Sequence, residues 1–213
     1  MAEGTGAEHS FKPTLRREVT DGIIAAVLDE LADVGYGKLS MDGVARRARA
    51  GKAALYRRWR TKQDMVLDAV TSISLPVRET LSSGDLVTDV VDIIRSVNDW
   101  LGESRMSRIM PDLLAEAKRN GDLADALTAR LGATRREYGH AVLEEARRRG
   151  ELASDVDVEY ALDLMAGPIF WRICGRRQNT TPEFLDLVVD TVLHALGVRR
   201  PVQRQKHRRK TVW

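Results

Sequence analysis

A chain of 213 residues, 43% hydrophobic and 31% charged, has room for a small module and a larger body, and its composition is that of a globular protein rather than a disordered one. Its one cysteine, Cys174, excludes an intramolecular disulfide and a cysteine-based zinc site, which fits a reducing cytoplasm; the longest apolar run, residues 164–171, is far below the roughly 20 residues that cross a bilayer, and the polar first thirteen residues lack the apolar run of a signal peptide. The net charge of +3 conceals three zones: twelve basic and ten acidic residues in 1–70, fifteen and twenty-one in 71–197, seven and none in 198–213.

Residues 1–14 read as a disordered arm. Ile23, Val27 and Leu31, flanked by Ile24 and Leu28, then form an apolar stripe that predicts a helix over 15–34, stopped by Gly35. Ser40 stands where an N-cap belongs, and Met41, Val44, Ala45 and Ala48 supply the inner face of a short second helix; Gly43 occupies the position where a capping box would place Glu or Gln. After a break at 49–51 a third helix spans 52–59, and Thr61 caps a fourth that runs through Met65, Val66, Ala69 and Val70 toward Pro76. Further helices are expected over 86–101, 111–119, 123–149, 156–176 and 182–196. Gly102, Gly121, Gly150 and Gly197 lie at or near ends, and Pro111 and Pro182 in first turns. Gly167 and Pro168 should kink their helix. Residues 198–213 read as a basic, flexible tail. With no strand pattern, the expected fold is all-α: a three-helix helix-turn-helix domain over 15–60 and a larger helical body over 61–197.

Positions 42–62 hold eight basic residues against Asp42 alone, the footprint of a phosphate-binding face. Taken by itself such a cluster fits a solvated charged surface equally well. On a helical wheel Leu55 and Trp59 face inward, leaving Ala53, Ala54 and Arg57 opposite, with Lys52 and Tyr56 on one shoulder and Arg58 on the other. Two alanines let a backbone approach a groove floor while long flanking side chains reach outward, so Arg57 is the candidate for a guanine edge and Lys52, Tyr56 and Lys62 for phosphate. Tyr56 could equally be a half-buried packing aromatic.

The run Ser40-Met41-Asp42-Gly43-Val44-Ala45-Arg46-Arg47-Ala48, followed by Lys52-Ala53-Ala54-Leu55-Tyr56-Arg57-Arg58-Trp59 and Thr61-Lys62, resembles the DNA-binding signature of the TetR family over residues 15–70. The resemblance implies a regulator, most often a ligand-responsive repressor, that binds a double-stranded, pseudo-palindromic operator as a homodimer formed by its last two helices. It implies phosphate contacts from Tyr56 and Lys62, and together with the wheel it makes Ser40, Arg49, Lys52, Ala53, Ala54, Tyr56, Arg57, Arg58, Thr61 and Lys62 the candidate DNA-binding residues. Two departures stand out: Arg49 where the family usually has glycine, at a strain of roughly 1 kcal/mol if the backbone there is left-handed, and Arg60 where proline is common.

The resemblance also implies a ligand-binding and dimerisation domain that receives a small apolar effector. Trp100, Met106, Met110, Tyr138, Met165, Phe170, Trp171 and Cys174 are the candidate lining, although such side chains are most often plain core. No cofactor, metal or catalytic site is expected, because the four histidines are scattered and no phosphate-binding glycine motif is present. The competing reading is a helical ligand-binding or interaction protein whose basic patch takes acidic protein or RNA.

Overall fold

Helical periodicity governs the protein in a computed structural model that describes residues 11–73 and 82–198, where every regular element is a helix. Residues 1–10 of the expected arm, Pro76 and the basic tail beyond Val198 lie outside the described residues. The first helix, α1 (Phe11–Lys38), begins before the expected position 15, so 11–14 are helical. Ile23, Val27, Leu28 and Leu31 are buried along one face. At Gly35 the backbone leaves helical geometry with φ 75° and ψ 166°, which ends the long helix where expected; one short turn comes after it.

Ser40 caps α2 (Met41–Arg47) by accepting the Gly43 N–H at 3.1 Å. A Cβ at position 43 would lie 2.8 Å from a Glu30 carboxylate oxygen on α1, so a capping-box glutamate there would require Glu30 to move. α3 (Lys52–Tyr56) is shorter than the expected 52–59. The chain beyond it tightens, the Arg58 and Trp59 N–H groups both reaching the Leu55 carbonyl at 2.9 Å. α4 (Lys62–Ser72) is capped by Thr61, whose hydroxyl accepts the Asp64 N–H at 3.0 Å and donates to its carboxylate at 2.8 Å.

The body comprises α5 (Leu86–Gly102), α6 (Met106–Ala117), α7 (Gly121–Leu127), α8 (Ala133–Arg148), α9 (Val158–Phe170) and α10 (Pro182–Ala195). α6 starts before Pro111, placing that proline inside the helix, because the Glu103 carboxylate accepts the N–H groups of Arg105 and Met106 at 2.9 and 3.0 Å and nucleates the first turn there. The expected helix over 123–149 is interrupted by a π turn at Thr128–Gly132, and that over 156–176 ends in a second at Trp171–Gly175. Pro168 is carried within α9. A π turn inserts one residue into the helical phase, rotating the downstream residues by roughly 100°. α1 packs on α4 and α6, while α5 packs against α9 and α10, so α6 bridges the N-terminal head and the body.

Three helices close with the same hydrogen-bonded cap. Behind α8, Gly150 and Glu151 donate to Arg147 and Ala146; behind α10, Gly197 and Val198 donate to His194 and Leu193; behind α2, Arg49 and Ala50 donate to Arg46 and Ala45. The left-handed position is glycine in the first two, at φ 79° and 72°, but in the third it is Arg49, at φ 51°. The strain anticipated for Arg49 is therefore realised. Arg49→Gly should raise unfolding stability by about 0.5–1 kcal/mol, less than the full strain because glycine is more flexible when unfolded, and a denaturant melt checks it. An unchanged or lowered midpoint would contradict this account of the turn.

Candidate nucleic-acid interface and ligand cavity

The helix-turn-helix is held from behind. Leu55 is fully buried and Trp59 nearly so, in a core continuous with α1 and α4, and the Trp59 indole N–H donates to Asp68 at 2.8 Å, satisfying the ring's one polar atom. Anchoring that face turns the opposite one outward. Ala53 and Arg57 are exposed, Ala54 is half-buried, and Tyr56 is 55% exposed, which favours its reading as a contact residue over a packing aromatic.

The candidate cations differ in how free they are. Arg46, Arg49, Arg57 and Arg60 are exposed, and none of their guanidinium groups has a hydrogen-bond or ion-pair partner among the described residues. Lys52 is exposed but paired with Asp42 at 2.6 Å. Arg58 folds back, donating to Thr20 at 3.2 Å and to the Ala54 carbonyl at 2.9 Å. Lys62 is also committed, since its ammonium donates to the Tyr36 carbonyl at 2.9 Å and lies 4.2 Å from the centre of the Tyr36 ring. Ser40 and Thr61 spend their hydroxyls on caps. The ten candidates thus form one continuous head in which Arg57, Tyr56, Ala53 and Arg49 present outward and Arg58 and Lys62 brace the scaffold.

That head is wired to the body through α6. Asp112 accepts the Tyr36 N–H at 2.6 Å, immediately after the Gly35 break, while Arg105 and Arg108 lie 3.4 Å from Asp29 and Asp33 on α1. Asp33 also pairs with Arg47 of α2 at 2.8 Å; the Arg47 hydrogen bond is the main reason its carboxyl sits below the ordinary range.

On the other side of α6 lies a cavity of about 630 Å³ walled by α5, α6, α8, α9 and the first π turn. A volume of roughly 300–1,000 Å³ with mostly apolar walls is typical of small-molecule sites. Of the expected lining, Trp100, Met110, Tyr138, Met165 and Phe170 meet there. Three others do not. Met106 is fully buried in the core one turn before Met110; Cys174 packs against the core away from the cavity, with burial pushing its thiol pKa up; and Trp171 is 64% exposed, its ring lying over Gly175, where a Cβ would approach it to 2.5 Å.

The expected lining contained no charged groups, yet several stand in the wall. Arg136 pairs with Glu159 at 2.6 Å and Asp163 at 2.8 Å, and Arg130 lies 3.6 Å from Asp68. Arg135 stacks on Trp100, 3.5 Å from the ring centre, and burial lowers its pKa to about 10, leaving it cationic at neutral pH. The apolar half of the lining had a usable signal, because Ile93, Val97 and Trp100 succeed one another at helical spacing on α5.

Comparison with known proteins gives this geometry its family. Residues 23–69 match the model for bacterial regulatory proteins of the tetR family, and residues 82–192 that of the tetracyclin repressor-like C-terminal domain. The chain belongs to the TetR family. It is 31% identical over 173 residues to the HTH-type transcriptional regulator YdeS of Bacillus subtilis, covering 79% of this chain and 85% of that one. It is 28% identical over 177 residues to the DNA-binding transcriptional repressor TetR of Mycobacteroides abscessus, covering 82% and 91%. Among solved structures, the TetR family transcription regulator SCO0332 superposes with a TM-score of 0.62 at 27% identity, covering 86% of this chain and all of that one. The protein is therefore a TetR-type transcriptional regulator with a DNA-binding helix-turn-helix, which decides for DNA between the two readings of the basic patch. Among the described residues of this TetR-type chain no helix is long and apolar enough to cross a membrane, and no side-chain cluster suits a metal ion.

Proposed function

We propose that the protein is a homodimeric, effector-responsive repressor of the cytoplasm that closes a pseudo-palindromic operator, with no catalytic role. The observation carrying this is the two-sided third helix: Leu55 and Trp59 buried on one side, Arg57, Tyr56 and Ala53 exposed on the other. Two such helices, related by a two-fold axis, enter successive major grooves with half-sites about 34–36 Å apart or somewhat more. Dimerisation is assigned to α9 and α10. Tyr160, Leu164, Gly167 and Trp171 recur along one side of α9 and its π extension, with Tyr160 58% exposed, and Leu187 of α10 is 63% exposed. Large apolar side chains in that number are unusual on a free surface and suit a self-complementary contact.

Effector action works through differential affinity. A ligand in the cavity presses on Met110 and Leu114 of α6, and Asp112 between them holds the Tyr36 backbone, so a shift of α6 is passed to α1 and to the spacing of the heads. The ligand favours the spacing that does not fit DNA.

Binding to duplexes selected from a random pool tests the assignment. Arg57→Ala should cost about 1–3 kcal/mol on the preferred site and flatten preference at one base pair. Lys62→Met should weaken all sequences alike by loosening the Tyr36 junction. Raising the salt should lower affinity with a log-log slope of about −0.9 per neutralised phosphate. Unchanged affinity and preference in Arg57→Ala would overturn the reading face.

A further inference from the structure

Arg135 and Trp100 stand together in the cavity wall with two buried donors that nothing satisfies. The Arg135 Nη2 and the Trp100 indole Nε1 are both sealed from solvent and lack a hydrogen-bond partner, and no carboxylate pairs with Arg135 among the described residues. Trp100 is 8% exposed. Stacking on the indole face stabilises the guanidinium charge but gives its N–H groups no acceptor. Buried donors are nearly always satisfied, and Arg135, itself only partly buried, keeps one sealed N–H beside that of Trp100, so an arrangement that holds both calls for an acceptor from outside the chain.

The other charges around the cavity do not supply it. Asp163 is taken by Arg136, Arg130 lies beside Asp68, and Asp92 lines the wall without reaching Arg135. Most of the remaining wall is apolar, including Ile93, Val97, Leu114, Leu162 and Phe170, and its hydroxyl groups come from Thr71, Ser96 and Tyr138.

We infer that the cavity takes an amphipathic carboxylic acid as its anion, the carboxylate received by Arg135 and the Trp100 indole N–H and the apolar body enclosed by the α5, α6 and α9 side chains. This rests on the cavity being the effector site. An oxyanion is matched to a guanidinium fork, whereas an uncharged apolar ligand would bury both donors without an acceptor.

Calorimetric titration of the purified full-length protein with decanoate and 4-phenylbutyrate, each beside its primary amide, tests the inference, with DNA release read on the same samples. The carboxylates should bind at least about tenfold more tightly than the amides. Arg135→Met should abolish that preference while leaving amide binding in place, Arg135→Lys should retain part of it, and Trp100→Phe, which keeps the stack and removes the donor, should weaken only the acids. Because Arg135→Met removes a sealed donor that has no acceptor and keeps an apolar stem against Trp100, the ligand-free variant should melt no lower than the parent. Equal binding of acid and amide, or acid binding indifferent to Arg135→Met, overturns the inference, and so does failure of the acids to bind at about 1 mM. Acid binding that depends on Arg135 but leaves DNA bound supports the inference and overturns the effector reading. Acid and amide that bind equally and both release DNA do the reverse.

Discussion

Replacing Trp59 with alanine is expected to lower the stability of the DNA-binding head by about 3–5 kcal/mol and to abolish operator binding. The ring is 4% exposed and ends the turn after α3, so its removal leaves a cavity directly behind the reading surface. α3 itself has only five residues and no side-chain cap at Gly51, so its local helical stability is negligible and its orientation depends on that packing. Trp59→Phe separates the two roles of the ring: it keeps most of the buried area and loses the bond to Asp68, for an expected loss of about 1 kcal/mol with DNA binding retained. Denaturant melts paired with operator titrations check both variants. A Trp59→Ala protein with the parent's midpoint and affinity would show that something other than this anchor aims the helix.

Gly35→Ala is expected to be nearly as damaging, at about 2–4 kcal/mol, although it adds a single methyl group. Two effects combine. The backbone at φ 75° and ψ 166° lies in a region that only glycine adopts readily, at about 1–3 kcal/mol for another residue. A Cβ would also lie 2.8 Å from an Asp112 carboxylate oxygen, and that carboxylate is held by accepting the Tyr36 N–H. Turning Asp112 away to relieve the clash forfeits the bond, for about 1 kcal/mol more. A double-mutant cycle with Asp112→Ala distinguishes the contributions, because removing the carboxylate relieves the contact but not the backbone strain. The two substitutions should therefore combine to less than their separate effects by about 1 kcal/mol. Strict additivity would mean that the methyl and the carboxylate do not meet. Since this contact joins α1 to α6, the single variants should also blunt any effect of a cavity ligand on DNA affinity.

Both of these positions can be read from the sequence. Gly35 as a helix stop and Trp59 as an inward anchor are apparent from spacing alone, since each depends on residues within a turn or two along the chain. The Ser40 and Thr61 caps are legible for the same reason: the hydroxyl and the N–H it accepts are three residues apart. The strain at Arg49 was indicated by the family resemblance, which implies glycine there, and the structure supplies the left-handed backbone, φ 51°, on which it depends.

The cavity was legible only in outline. Choosing large and polarizable side chains found Trp100, Met110, Tyr138, Met165 and Phe170 but also took in Met106, Trp171 and Cys174. All eight suit an apolar environment, and composition does not say whether that environment is core, cavity or outer face. Arg135 was invisible because the sequence predicts one continuous helix over 123–149, while the π turn at Thr128–Gly132 shifts the helical phase that decides which side chains face the cavity.

Taken alone, the order of residues determined that the regular elements of the described chain are helices, where its DNA-reading head lies and which side of that head faces outward. These result from forces acting between near neighbours: helical period, capping and burial of a stripe. Tertiary structure decided that Lys62 and Arg58 brace the scaffold, that Trp171 faces out, and that a cationic side chain is enclosed beside an indole. Each of those outcomes depends on how helices distant in sequence come together, and the energy of a charge or an apolar ring is set by what surrounds it in space.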